Sequence, residues 1–329
     1  MPSRWLLRLQ ALVHGMGLAL APEQPWLAWA RARNAVASRR RLRTPEPRPP
    51  LAARPRQLSV TTIETWIANP YAIFARHILK LEALDPLGVR PGAALRGQVV
   101  HAALGLLTQR YPRQLPPDLA EELKAIAREV LADFTSNPRV AAFWAPRFGR
   151  FADWFAETEG QRRAGVREVV AETGGRLVLQ APAGPFTLTA RADRIDVGNG
   201  GLVITDYKGS QSLDDLKSRA NAGRAPQLPL EAAIAAAGGF AGVPAGRVTG
   251  LRYISTLGGE PPGQQVALDG EASAVAERAR EGLARLIADY DIEATPYRAL
   301  RRSRFTYKYD AYTHLARVAE WSDDDEEED

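Results

Sequence analysis

Apolar residues change their spacing near residue 166, and this change separates a helical part of the chain from a mixed part. Before that point they recur at intervals of three and four residues, which is typical of amphipathic helices. We therefore predict helices over 92–108, 117–134 and 138–159. The clearest apolar stripe, which we expect to be core, consists of Leu119, Leu123, Ile126, Val130 and Phe134.

After residue 166 the pattern alternates between apolar and polar positions, which indicates β-strands. We predict strands over 166–173, 175–180, 186–197, 201–208 and 248–256, with a glycine-rich turn at 198–201. A polar stretch over 209–224 precedes an alanine-rich helix at 226–237, and a long helix covers 270–291. This order predicts an α/β fold in which helices flank a mixed central β-sheet.

The N-terminal part is predicted to be helical as well. Two short helices should lie within residues 1–34 and separate at Pro22, the first with a buried stripe of Leu6, Leu9, Leu12 and Val13. Further on, Thr61 and Glu64 have the spacing of a capping box, and Pro70 suits the first turn of the next helix.

Charge is distributed unevenly along the 329 residues, although the formal net charge is only +5. Residues 1–57 contain eleven arginines against two glutamates, whereas residues 323–329 are all acidic. A basic excess favours a polyanionic partner such as nucleic acid, although a solvated basic linker is the simpler alternative. The proline-rich segment 39–57 should be an extended linker, acting as a tether or lying along DNA, and 322–329 a disordered acidic tail.

Composition also excludes some classes of site. The sequence contains no cysteine, so disulfides, cysteine-ligated zinc and iron–sulfur clusters are excluded. No apolar run approaches the length of a membrane span, and Arg8, Gln10 and His14 interrupt the candidate secretory core. We expect a cytoplasmic protein without a membrane partner.

The residues with the clearest chemical implication are Asp193, Asp206 and Lys208, on two strands joined by a short turn. Asp206 and Lys208 are two residues apart and should share one face of their strand, while strand pairing brings Asp193 next to Asp206. Two adjacent carboxylates repel unless a cation joins them, and Mg²⁺ prefers oxygen ligands. A surface ion pair between Asp206 and Lys208 is the alternative.

Two further residues complete a candidate site. His101 lies four residues after Gly97 on a predicted helix, so both share a face, and the histidine could bind a metal or a phosphate. Gln227 begins the alanine-rich helix, where a helix N-terminus favours anions. A structural histidine and an ordinary helix-start glutamine are the alternatives.

Together these motifs resemble the PD-(D/E)XK nucleases of the RecB type. They follow that family's order, and they read RGQVVH (96–101), ARADRID (190–196), DYKGS (206–210) and QLPLEAA (227–233). The flanks, including LSVTTIETW from Leu58 and the ending DAYTHLARVAEW, are similar to the C-terminal part of AddB-type subunits of alphaproteobacterial AddAB helicase–nucleases.

The resemblance implies a Mg²⁺-dependent DNA exonuclease, with Mn²⁺ as a possible substitute, in double-strand break repair and recombination. His101, Asp193 and Asp206 would bind the metal, Lys208 would be catalytic and Gln227 would assist. The implied partners are DNA ends or single strands and an AddA-like helicase–nuclease subunit. The implied domains are a remnant of the helicase-like region (1–38), the linker (39–57), the nuclease domain (58–300), a C-terminal extension (301–321) and the tail (322–329).

Three departures from the family pattern stand out. Asn69 occupies a position where many relatives have a cluster cysteine, Glu231 replaces a tyrosine, and Gly209 follows Lys208 where Thr or Ser is usual. The sequence also has no GxxxxGK(S/T) loop, so ATP hydrolysis is not expected. A non-catalytic DNA-binding or assembly module with the same fold is the main alternative, and a site-specific endonuclease is a third possibility.

Overall fold

The computed structural model describes residues 2–18, 25–35, 43–82, 84, 93–134, 138–209, 212–299 and 311–318. The chain forms two compact units, Met1–Arg43 and Thr44–Asp329. The predicted acidic tail and most of the predicted C-terminal extension lie outside the described residues, as does Pro22.

The first unit contains the two predicted helices, α1 (Arg4–Gly15) and α2 (Trp26–Asn34). Ser3 caps α1 by accepting a hydrogen bond from the backbone N–H of Leu6 at 3.2 Å. The predicted buried stripe on α1 is wrong, because Leu6, Leu9 and Leu12 are 41%, 49% and 62% exposed. The described residues of this unit therefore leave the apolar face of the helix largely uncovered.

The second unit is built on a six-stranded mixed sheet. The strands are β1 (Gln57–Ser59), β2 (Val166–Leu179), β3 (Phe186–Gly198), β4 (Gly201–Lys208), β5 (Val248–Ser255) and β6 (Gln264–Ala267). Their order is β1-β3-β4-β5-β6, with β2 also paired to β3. The pairs β1–β3 and β4–β5 are parallel and the others are antiparallel, which confirms the predicted mixed sheet.

Eight helices of this unit are described. They are α3 (Val60–Ala68), α4 (Pro70–Ile73), α5 (Ala93–Arg110), α6 (Leu119–Phe134), α7 (Pro138–Arg162), α8 (Leu213–Asn221), α9 (Gln227–Ala236) and α10 (Ala272–Tyr290). A π-helical turn, Phe74–Ile78, continues α4.

Two hydrophobic clusters cover the two faces of the sheet. One joins α3, α9 and α10 to the strands, and the other joins α5, α6 and α7 to Tyr207 and Ile254. The predicted stripe of α6 lies in the second cluster, since Leu119, Leu123 and Ile126 are buried. Helices therefore flank the mixed sheet, as the sequence predicts.

Several local predictions were wrong. The strand β2 is continuous where two strands were predicted. The polar stretch 209–224, for which no element was predicted, contains α8. The helix α3 begins earlier than the predicted capping box, because Ser59 is its N-cap and accepts from the backbone N–H of Thr62. Short strands such as β1 carry too few alternating residues to be recognised by pattern.

Residues 45–56, which fall in the predicted linker, pack against residues 290–299. The backbone N–H of Tyr297 donates to the carbonyl oxygen of Pro47 at 2.8 Å. Arg54 is 4% exposed, and its guanidinium donates to the carbonyl oxygens of Tyr290, Ile292 and Glu293. Arg54 is therefore bound within the protein and is not free to contact DNA.

A buried charge network fastens α7 to β3. Glu159 of α7 is fully buried and accepts from Arg194 of β3 at 2.9 Å and from Arg162 at 2.7 Å. Arg194 also pairs with Asp196 at 2.6 Å, and Asp196 pairs with Arg252 of β5. Burial raises the pKa of Glu159, but the arginines outweigh it and lower that pKa to about 2.

Replacing Glu159 with Gln should destabilise the protein by roughly 3–5 kcal/mol at pH 7, because Arg194 would lose a buried counter-charge. Since the pKa of Glu159 falls from 4.5 to about 2 on folding, its contribution is present above pH 4.5 and lost as the pH falls toward 2. Urea unfolding at pH 7 and at pH 3 measures both effects.

The matched control is Glu157→Gln, which changes an exposed glutamate two residues earlier on the same helix. Equal stability of the two variants at pH 7 would contradict the structural role of the network.

Candidate active site

The strand β3 changes its partner at the point where Asp193 lies. One edge of β3 pairs with β2 along residues 186–198. The other edge pairs with β1 at residues 187–189 and with β4 at residues 194–198. Asp193 therefore stands where β1 and β4 diverge, and its Oδ2 accepts from the backbone N–H of Tyr207 at 2.8 Å.

The β3–β4 register sets the two predicted aspartates opposite each other. Arg194 pairs with Thr205, so the next position along places Asp193 opposite Asp206. Lys208 extends from the same side of β4 as Asp206, and its Nζ lies 2.8 Å from Asp206 Oδ2. Tyr207 faces the other side and is buried in the cluster with α5–α7, as the alternation of the strand predicts.

His101 reaches this edge from α5. Its Nδ1 lies 3.2 Å from Asp193 Oδ1, and its Nε2 lies 3.0 Å from the carbonyl oxygen of Tyr207. Both ring nitrogens thus face oxygen acceptors. This arrangement favours the doubly protonated, positively charged form of the imidazole. Burial lowers the pKa of His101, but the hydrogen bond and charge of Asp193, with the charges of Asp206 and Glu172, outweigh it and raise that pKa.

Glu172 of β2 is a further member of the site that sequence reasoning missed. The pairs Ala171–Arg194 and Thr173–Ala192 set it opposite Asp193, and its Oε1 lies 3.9 Å from His101 Nδ1. Its φ of 52° places it in the left-handed region, which is strained for a residue with a Cβ. Nothing in the local sequence signals this φ. The residues that follow, Thr173, Gly174 and Gly175, indicate only that the strand is weakened there.

The helix α9 contributes Gln227 and Glu231 from its first turns. Gln227 Nε2 donates to Asp206 Oδ1 at 3.1 Å, and its Oε1 accepts from Lys208 Nζ at 3.2 Å. The same Nε2 lies 3.2 Å from Glu231 Oε1. Glu231, at the position where the family pattern has tyrosine, is 1% exposed and points at the amide that holds Asp206.

The predicted site residues, with Glu172 added, therefore form two adjacent groups. His101, Asp193 and Glu172 offer ligand atoms that all lie within 4.8 Å of one another. Asp206, Lys208 and Gln227 form the second group and are mutually hydrogen-bonded. Asp206 does not belong to the first group, and the backbone of Tyr207 connects the two, since it contacts both Asp193 and His101.

Negative charge is in excess across the two groups. Burial raises the pKa of Asp206 to about 6, although Lys208 opposes the shift. Burial and the charges of Asp206 and Asp193 raise the pKa of Glu231 well above its usual value. Burial and Asp193 likewise raise the pKa of Glu172. Lys208 keeps its proton, because the adjacent carboxylate of Asp206 outweighs burial and raises its pKa.

This donor set fits a divalent cation. Among the described residues, Glu231 Oε2 is buried and accepts no hydrogen bond, and Asp206 Oδ2 has only the Lys208 ammonium beside it. Carboxylate and carbonyl oxygens with one imidazole suit a hard or borderline divalent metal. A cation at this edge would offset the repulsion that raises the carboxylate pKa values.

A comparison with known protein families assigns the fold. The sequence signature of the PD-(D/E)XK nuclease superfamily matches residues 57–303, which is most of the chain and all of the site. The chain belongs to the PD-(D/E)XK nuclease superfamily. Nucleases of this superfamily generally use divalent metals, in agreement with the acidic cluster at the edge of β3 and β4.

Individual relatives of this PD-(D/E)XK chain share about a third or less of its residues over the aligned regions. An uncharacterized protein of Rickettsia bellii (strain RML369-C) is 26% identical over 281 residues, which are 79% of this chain and 32% of the relative. A subunit of an ATP-dependent helicase/deoxyribonuclease from Moorella thermoacetica (strain ATCC 39073 / JCM 9320) is 31% identical over 212 residues, 55% of this chain and 18% of the relative. The chain thus spans at most about a third of these curated relatives.

A solved structure titled "Crystal structure of SSO0001" shares 10% identity and has a TM-score of 0.22, covering 65% of this chain and 84% of its own. No described helix of the PD-(D/E)XK chain is long and apolar enough to cross a bilayer.

Replacing Glu172 with Gly should raise stability by up to about 1 kcal/mol, because glycine adopts a positive φ without strain and one carboxylate leaves an acidic cluster. Glu172→Gln is the matched control, since it removes the charge and keeps the strained backbone. Chemical unfolding of the two variants measures the difference. A Gly variant less stable than the Gln variant would contradict the assignment of strain at this position.

Proposed function

We propose that this chain is a Mg²⁺-dependent deoxyribonuclease that degrades or processes DNA ends during double-strand break repair and recombination. The observation that carries the proposal is the convergence of Asp193, Asp206, Lys208 and His101 at one edge of the sheet, with more carboxylates than the neighbouring cations neutralise. That surplus suits a cation that in turn holds a phosphodiester.

His101, Asp193 and Asp206 would hold the metal, with Glu172 beside them. When bound, Mg²⁺ would lower the pKa of a coordinated water and neutralise charge on the phosphate, with Mn²⁺ as a possible replacement. The carbonyl oxygen of Tyr207 lies beside these residues, at 3.0 Å from His101 Nε2.

Lys208 acts as a fixed positive charge in this proposal. Asp206 raises the pKa of Lys208, which favours the protonated ammonium. It can stabilise the negative charge that develops on the phosphorus oxygens during attack. Gln227 binds both Asp206 and Lys208 and thereby holds the two side chains in one geometry.

The wider context also belongs to the proposal. The match to part of a helicase/deoxyribonuclease supports an AddB-like nuclease domain that works in the cytoplasm with an AddA-like helicase–nuclease subunit. The sequence has no GxxxxGK(S/T) loop of its own, so unwinding would come from that partner. Residues 1–38 would then correspond to the end of the helicase-like region, and 58–300 to the nuclease domain.

Lys208→Met should lower the rate of DNA cleavage by roughly 10²–10³-fold, because a charge that stabilises the transition state is removed. Asp206→Asn should lower the rate at least as far. End-labelled single- and double-stranded DNA, incubated with Mg²⁺ or with EDTA, measures the rate and the need for metal.

Asp214→Asn is the matched control, since this exposed aspartate on α8 lies outside the candidate site. Cleavage by Asp206→Asn at the wild-type rate would overturn the proposal. A covalently closed circular plasmid separates the end-dependent activity from a site-specific endonuclease, which would give defined fragments.

Binding of Mn²⁺ tests the ligand set without relying on catalysis. Asp193→Asn should weaken Mn²⁺ binding in calorimetry by at least about tenfold, because it removes a charged ligand between His101 and Tyr207. Glu172→Gln should weaken it less if this glutamate only neighbours the metal, and by a comparable factor if it is a ligand. Unchanged Mn²⁺ affinity in Asp193→Asn would contradict this site.

A non-catalytic DNA-binding module is the second candidate, and Glu231 is the observation that favours it. This buried carboxylate adds negative charge beside Asp206, where the family pattern has tyrosine. Such a module would bind DNA with a strong salt dependence and leave it intact in Mg²⁺.

A further inference from the structure

A cavity lies between α5, α6 and α7, near the carboxyl end of β4. Its volume is about 200 Å³, and its walls are mostly apolar. Trp144 and Phe148 of α7 and Leu131 of α6 contribute the large apolar side chains, and all three are only partly buried. This size suits one flat ring system better than a large ligand.

The cavity is joined directly to the strand end that carries Lys208. Arg96 lines the cavity, and its Nη2 donates to the carbonyl oxygen of Gly209 at 2.7 Å. Thr256 lines it too, and its backbone N–H donates to the carbonyl oxygen of Lys208 at 3.0 Å. The cavity therefore adjoins the backbone at the end of the strand that carries Lys208.

The rim of the cavity carries unneutralised positive charge. Arg96, Arg128 and Arg147 line it, and none of them forms an ion pair with a carboxylate among the described residues. Burial and the positive charge of Arg147 lower the pKa of Arg96. Two other arginines of these helices are ion-paired, Arg162 with Glu159 at 2.7 Å and Arg110 with Glu129 at 2.8 Å, whereas Arg150 donates to the carbonyl oxygen of Gly258 at 3.0 Å.

Apolar aromatic walls with a rim of arginines that pair with no carboxylate of the described residues match one class of ligand, an unstacked nucleotide. Single-stranded nucleic acid binds through bases that stack on aromatic side chains and through phosphates in a positively charged groove. A base within a duplex is covered on both faces by its neighbours and cannot enter such a cavity.

We propose that this cavity receives an unpaired base of the DNA strand whose phosphodiester lies at Lys208, with Trp144 as the stacking surface and Arg96, Arg128 and Arg147 along the flanking phosphates. The proposal rests on the proposed function, since it takes DNA as the substrate. It adds that a base of the single-stranded substrate, and not only its phosphates, contributes to affinity.

Binding in EDTA, where no metal supports cleavage, tests the proposal directly. Fluorescence anisotropy would compare a labelled oligothymidylate with an abasic strand of equal length and charge. The wild type should bind the thymidylate about tenfold more tightly, because only that strand can stack. Equal affinity for the two strands would overturn the proposal whatever the variants do.

Trp144→Ala should lose the preference for bases and keep the affinity for the abasic strand. Trp144→Leu, which retains apolar volume in the cavity without an aromatic face, should behave in the same way and guards against a variant that merely unfolds. Phe143→Ala is the matched control, since this neighbouring aromatic is 78% exposed and does not line the cavity. A preference for bases that persists in both Trp144 variants would contradict the stacking role.

Arg147→Ala should weaken the binding of both strands equally and lower the salt dependence by about one counterion. Failure of the two proposals is distinguishable in these assays. Loss of base preference in the Trp144 variants without any Mg²⁺-dependent cleavage by wild type would overturn the nuclease proposal alone. Normal cleavage with no wild-type preference for bases would overturn this inference alone. Preferential binding of duplex DNA would also contradict it.

Discussion

The pairing register of β3 with β4 is the constraint on which the candidate site depends. It sets Asp193 opposite Asp206. Asp193 lies between the part of β3 that pairs with β1 (187–189) and the part that pairs with β4 (194–198). A slip of one residue would turn every side chain of the strand to the other face. The buried ion pair of Arg194 with Glu159 opposes such a slip, because a slip would separate the two charges inside the core and leave both without a partner.

Five elements, β2, β3, β4, α5 and α9, bring charge to this one edge, and the balance between carboxylates and cations determines what the edge can do. Asp206, Glu172 and Glu231 all have raised pKa values, which means that each is destabilised as an anion in the folded protein. Both nitrogens of His101 face oxygen atoms. A divalent cation would offset the repulsion among these carboxylates, and the arginine-rimmed cavity near the end of β4 has the size of one base of the proposed substrate strand.

The sequence predicted those parts of the fold and of the site that depend on local patterns. Alternation on β4 predicted the shared face of Asp206 and Lys208, and the turn at 198–201 predicted the pairing that brings Asp193 close. It could not predict Glu172, whose position follows from a positive φ on a third strand, nor the packing of Arg54, which depends on carbonyl groups more than 230 positions away in the chain. Contacts between residues so far apart in the sequence produce no periodic pattern of apolar and polar positions.

The most direct test of the account is a crystal structure of the protein soaked in Mn²⁺, with data collected at the manganese absorption edge. The account predicts an anomalous peak within coordination distance of His101, Asp193 and Asp206, with Lys208 outside its ligand shell. Crystals that bind Mn²⁺ only elsewhere, or that leave this edge without an anomalous peak at saturating metal, would contradict it.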